Sequence, residues 1–179
     1  MLTATYFLMA VKIEQKKTYR MLSSLRRSIQ CLSWRYRDQL DMKFIKPMLR
    51  KLLNFNRFCR RRKVETLMIP AVRRSLSEKS TLLSELDCLS QEALKNIRSL
   101  YRQTRVVYET EKISVEALLS LMLDYCHKLM QRLEKEEIEL YPVARQLLSS
   151  DDWFSIAVAS MQIEMKPLNR LGRFQPSTS

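Results

Sequence analysis

At 179 residues the chain is long enough for one domain with a buried core. A single glycine, Gly172, and five prolines exclude tight-hairpin sheets and the glycine-rich phosphate loops of Rossmann and P-loop proteins. The formal charge of +13 is uneven: residues 1–74 hold 19 Lys/Arg against 4 Asp/Glu and residues 75–179 hold 13 against 15, so an anionic partner would meet the front half.

Leu, Met, Arg, Lys, Glu and Gln dominate, and all favour helix. The apolar run 5–11 is far shorter than the ~20 residues a membrane-spanning helix needs. No basic residues precede it and no small-residue cleavage site follows, so it does not read as a leader. Cys31, Cys59, Cys88 and Cys126 form no CxxC pair and read as reduced thiols, which predicts a cytoplasmic protein.

Four apolar stripes with alternating three- and four-residue spacing follow in chain order. The first runs Leu8, Val11, Gln15, Thr18, Leu22, Leu25, Ile29, Leu32, Tyr36. The second runs Phe44, Met48, Leu52, Phe55, Phe58, Arg62, Glu65, Ile69, Val72, with Pro47 tolerated in its first turn. The third runs Leu86, Leu89, Ala93, Ile97, Leu100, Thr104, Val107, and the fourth Leu118, Met122, Tyr125, Leu129, Arg132, Glu136, Leu140, Val143. Short connections near 38–41, 75–80 and 110–114 predict an all-α, up-down-up-down antiparallel four-helix bundle. Capping oxygens at 149–152 ahead of Trp153, Ile156, Ala157 and Met161 predict a short C-terminal fifth helix. Residues 1–165 thus read as one bundle and 166–179 as a flexible C-terminal tail.

The polar residues that interrupt the stripes carry the functional information. Gln15, Arg62, Glu65, Arg132 and Glu136 stand where apolar side chains are expected. A charge facing a bundle core is costly unless it is paired or binds a metal. Arg61 with Glu65, and Arg132 with Glu136, have the four-residue spacing that brings side chains together on a helix face. The two segments repeat weakly, about 71 residues apart: each arginine–glutamate pair precedes an apolar group ending in proline, Leu67-Met68-Ile69-Pro70 and Leu140-Tyr141-Pro142.

The stretch Arg132-Leu133-Glu134-Lys135-Glu136-Glu137-Ile138-Glu139-Leu140-Tyr141-Pro142-Val143-Ala144-Arg145 resembles the fourth helix of the hemerythrin-like cation-binding family. The exit Leu147-Leu148-Ser149-Ser150-Asp151-Asp152-Trp153 is similar too, and the match covers about 22 residues. The resemblance implies a bundle in which carboxylates and histidines from four helices hold two irons. This chain departs wherever a histidine belongs. The family's first-helix acid–histidine pair falls on Glu14-Gln15, and its second-helix pattern on Arg61-Arg62-Lys63-Val64-Glu65. The third-helix histidine falls near Ala93, after Glu92, and the fourth-helix pair on Arg132 and Glu136. Arginine offers no lone pair to a metal, but it can balance a carboxylate. The expectation is a degenerate, metal-free member without cofactor, in which arginine–glutamate pairs fill the space of the metal.

Lone His127 makes neither a triad nor a metal centre, and Glu134, Glu137 and Glu139 beside Lys128 and Lys135 read as a solvated face. No nucleophile–base pair is visible, so the chain is expected to act by protein binding, as a regulatory or scaffold module, rather than as an enzyme. Two other readings stand beside this one. The first is a residual metal-binding protein holding a di-iron centre or another divalent cation through Glu14, Glu65, Glu92 and Glu136. The second is a binder of nucleic acid or an anionic membrane surface through Lys16, Lys17, Arg20, Arg57, Arg60, Arg61 and Lys63.

Overall fold

The computed structural model describes residues 2–35, 42–76, 81–110 and 115–165. The connection expected at 38–41, most of those at 75–80 and 110–114, Tyr36 of the first stripe and the tail at 166–179 lie outside them. Among the described residues the chain is all-helical: seven α-helices and two π turns, with no strand. The helices are α1 (Leu2–Arg35), α2 (Met42–Cys59), α3 (Ile69–Ser75), α4 (Thr81–Thr110), α5 (Val115–Lys135), α6 (Tyr141–Leu147) and α7 (Ser150–Met165). None is long and apolar enough to cross a membrane. Helix α5 lies along α4 and α1, and α1 also packs on α7 and α2.

The second stripe is not one helix. Helix α2 stops at Cys59, and at 60–62 the chain tightens: the N–H groups of Arg61 and Arg62 donate three residues back, to Phe58 and Cys59 carbonyls, at 3.0 and 3.2 Å. A π turn, Val64–Met68, leads into α3, and a second, Glu136–Leu140, leads from α5 into α6. Each stands ahead of a proline, Pro70 or Pro142, in the first turn of the next helix. Proline has no N–H, and its ring would strike the carbonyl four residues back, so a regular α-turn cannot run through either position. The residue before each proline bonds five residues back instead, Ile69 to the Val64 carbonyl and Tyr141 to the Glu136 carbonyl. In this structural repeat Val64 matches Glu136 and Pro70 matches Pro142, an offset of 72 residues. Glu65 therefore occupies the counterpart of Glu137, not of Glu136.

The expected short fifth helix is α7, 16 residues long and nearly the equal of α2. Its start is a reciprocal cap. Asp152 N–H donates to Ser149 Oγ at 3.2 Å, and Ser149 N–H donates to Asp152 Oδ2 at 3.0 Å. The Ser149 hydroxyl, donating to Asp152 Oδ2 at 2.7 Å, and the Ser149 N–H together hold the Asp152 carboxyl below its ordinary pKa. Trp153 then turns inward against Phe7, with ring centroids 6.1 Å apart.

The core is divided. One apolar cluster holds Leu22, Leu25 and Ile29 of α1 with Leu52, Phe55, Ile97, Leu100, Met122, Tyr125 and Leu133. The other holds Phe7, Leu8 and Val11 of α1 with Val64, Met68, Leu86, Leu140, Trp153 and Ile156. Between the two sets the residues are polar: Gln15 on α1, Arg62 and Glu65 around the turn after α2, Ser90 on α4, and Arg132 and Glu136 on α5 and its π turn.

Candidate functional site

This polar layer is a closed ionic cluster. Arg62 Nη1 donates to Glu136 Oε2 at 2.9 Å and to Gln15 Oε1 at 3.0 Å. Its Nη2 donates to Glu136 Oε1 at 2.6 Å and to Glu65 Oε1 at 3.2 Å. Arg132 Nη2 lies 2.7 Å from the same Glu65 oxygen, and its Nη1 donates to Ser90 Oγ. Arg132 Nε is 3.2 Å from Glu136 Oε1, near enough for charge attraction, although it is not aligned as a hydrogen bond. Gln15 completes the ring by donating from Nε2 to the Leu133 carbonyl at 2.7 Å. Two guanidinium groups thus meet two carboxylates, with Arg62 2 % and Glu136 0 % exposed.

The backbone explains who takes part. Where the chain tightens after α2, Arg62 keeps the inward place it has on the apolar stripe, and Arg61 stands in solvent. The expected Arg61–Glu65 pair is therefore not formed: Arg62 reaches Glu65 from three residues away, and Arg132 reaches it from across the interior. The Arg132–Glu136 pair keeps its four-residue spacing. Beside the layer, Glu14 accepts the Lys63 backbone N–H at 2.7 Å.

Burial and charge pull in opposite directions in this layer. Desolvation works to lower the Arg62 pKa, but the adjoining Glu136 carboxylate carries it above its ordinary value. Burial raises the Glu14 carboxyl pKa despite the Lys63 hydrogen bond and the nearby Arg62 charge. Burial likewise pushes the Cys59 thiol up to about 12 and raises the Tyr141 hydroxyl. Three buried donors, Arg62 Nε, Arg132 Nε and the Tyr141 hydroxyl, have no hydrogen-bond partner among the described residues.

Of the polar positions singled out in the sequence, Gln15, Arg62, Glu65, Arg132 and Glu136 are brought together, and Glu14 borders them. Arg61 is exposed, and Glu92 is paired at the surface with Lys128 at 2.7 Å. Ala93 is buried in the larger apolar cluster, and His127 is exposed. Sequence reasoning missed Ser90, although it sits between Leu86 and Ala93 on the third stripe. It also missed Tyr141, and no residue type could have signalled the Leu133 carbonyl.

A metal needs lone pairs that point at one spot, and this donor set does not fit one. Glu65 Oε1 and both Glu136 oxygens face guanidinium nitrogens, and the Gln15 oxygen accepts from Arg62. Among the described residues no group of three His, Cys, Asp or Glu side chains could hold a metal ion. A groove of about 560 Å3 beside α1 and α6, lined by Met9, Lys12, Tyr141 and Arg145 among others, is not lined by Arg62, Glu65, Arg132 or Glu136. Neither is one of about 550 Å3 between α4 and α5.

The basic candidates lie outside the layer. Lys16, Lys17 and Arg20 are exposed on α1, and Arg57, Arg60 and Arg61 are exposed around the end of α2. Lys17 Nζ stands 5.7 Å from the Phe58 ring centroid, and Lys63 is half-buried beside Glu14. These two contacts set the basic run of α1 beside that of 57–63. Comparison with protein-family models, curated proteins and solved structures finds no match to this chain.

Proposed function

We propose that the chain is a degenerate hemerythrin-like bundle, up-down-up-down in order, whose centre is closed by arginine–glutamate pairs and which acts by binding a partner rather than by catalysis. One polar level shared by α1, the 62–65 segment, α4 and α5 supports four rods side by side, since all four contribute to the same layer. The two-armed Arg62–Glu136 pair carries the reading. It places a permanent cation where the family resemblance would put a metal, and it satisfies both oxygens of the acid that would hold one. The unpartnered Nε groups of Arg62 and Arg132 support it further, because a metal cation beside them would meet charge repulsion and no added lone pair. Four free thiols, two of them exposed, suit a cytoplasmic protein acting as a regulatory or scaffold module.

The test is metal content and visible absorbance of the full chain after expression and reconstitution with ferrous iron. The expected result is no stoichiometric iron and no absorbance band. Two irons per chain, or one bound divalent cation lost on Glu136→Gln, would overturn the reading.

A further inference from the structure

We propose that the outer face of α1 docks the protein on an anionic lipid bilayer, a property independent of the closed polar layer. The inward stripe of α1 is Leu8, Val11, Gln15, Thr18 and Leu22, all buried. The opposite face follows the same alternating spacing through Tyr6, Met9, Ile13, Lys16 or Lys17, and Arg20. Tyr6 is 59 %, Met9 59 % and Ile13 66 % exposed. A helix on the surface of a single domain ordinarily turns polar residues outward, so this line of apolar groups needs a partner. At ~1.5 Å per residue it runs about 21 Å from Tyr6 to Arg20.

Its chemistry selects the partner. The apolar half is followed on the same face by Lys16, Lys17 and Arg20 and flanked by Lys12, and none of these four cations pairs with a carboxylate among the described residues. A second copy of the chain is disfavoured, because a parallel pair would stack lysine on lysine and an antiparallel pair would lay charges over Tyr6 and Met9. A nucleic acid would use the cations but leave Met9 and Ile13 unemployed, since neither offers a face for base stacking. An anionic bilayer uses every group. Met9 and Ile13 enter the acyl boundary, Tyr6 sits at the headgroup level, and the ammonium and guanidinium groups meet lipid phosphates and carboxylates. Because no described helix can cross a membrane, α1 would lie in the interface plane.

The experiment is co-sedimentation of the full chain with phosphatidylcholine vesicles, with and without phosphatidylserine, at increasing salt. Binding is expected only with phosphatidylserine and should weaken as salt rises. Lys16→Gln with Arg20→Gln should lower partitioning about fivefold per residue. Met9→Glu with Ile13→Glu should lower it at least about tenfold, with the helical circular dichroism unchanged. No binding to phosphatidylserine vesicles at low salt overturns the proposal. So does wild-type partitioning by the Met9/Ile13 variant, or binding to duplex DNA or RNA as strong as to vesicles and indifferent to Met9 and Ile13. A concentration-dependent dimer abolished by Ile13→Glu would assign the face to a second copy and likewise overturn it.

Discussion

Arg62 and Glu136, 74 residues apart in the chain, meet through both arms of the guanidinium at 2.9 and 2.6 Å in a site from which water is excluded. Such a pair contributes little net stability, since desolving two charges offsets their attraction, but a half-pair is severely unfavourable. Arg62→Ala or Glu136→Ala should therefore each cost about 3–5 kcal/mol in urea unfolding. Arg62→Met combined with Glu136→Leu should cost less than either single change, because Arg132 and Glu65 remain paired at 2.7 Å. Glu92→Gln, at the surface, should leave the midpoint where it was. Additive single losses would show that the pair is not coupled.

The Glu14 carboxyl supplies a pH dependence of known sign. Burial raises its pKa above the ordinary 4.5, so the folded chain holds this proton more tightly than the unfolded one. The resulting stability is complete below that ordinary value and is lost as pH rises through the folded one. Glu14→Gln keeps an oxygen for the Lys63 N–H and removes the charge. Relative to wild type, it should gain stability as pH rises from below 4.5 to neutrality. Parallel unfolding curves for the two proteins across that window would contradict the assignment.

Thiol reactivity should split two and two. Cys31 and Cys88 are exposed, whereas burial pushes Cys59 and Cys126 up to about 12 from 9.0. At mildly alkaline pH a disulfide reagent should label two thiols quickly and the other two only on unfolding. Cys31→Ser with Cys88→Ser should abolish the fast phase.

Helix α7 is held to α1 through Trp153 and Phe7. Trp153→Ala removes a large buried ring and should cost about 3–5 kcal/mol in chemical unfolding. Phe154→Ala, on the exposed side of the same helix, should cost far less.

The amphipathic stripes made the helical class and much of the buried set legible, because apolar spacing reports directly which face meets the core. The interruptions at Gln15, Arg62, Arg132 and Glu136 were legible for the same reason: a charge on an apolar line must be explained. The backbone irregularities were not. Pairing Arg61 with Glu65 rested on four-residue spacing within one continuous helix, whereas α2 ends at Cys59 and Arg62, from three residues away, is the one that reaches Glu65. The prolines at 70 and 142 hinted at irregular turns, but a proline alone does not distinguish a kink, a cap and a π turn. Glu65 pairing with two arginines at once depends on the approach of α5 and has no local signal.

An interior divided by a charged stratum can be assembled in only one alignment. Aliphatic surfaces tolerate sliding past one another, since one leucine contact is much like the next. Displacing α5 by a single turn, about 5.4 Å, would strand Glu136 among hydrocarbons and leave Arg62 facing no acid. The cluster thus works as the wards of a lock do, contributing little holding force yet refusing every key but one.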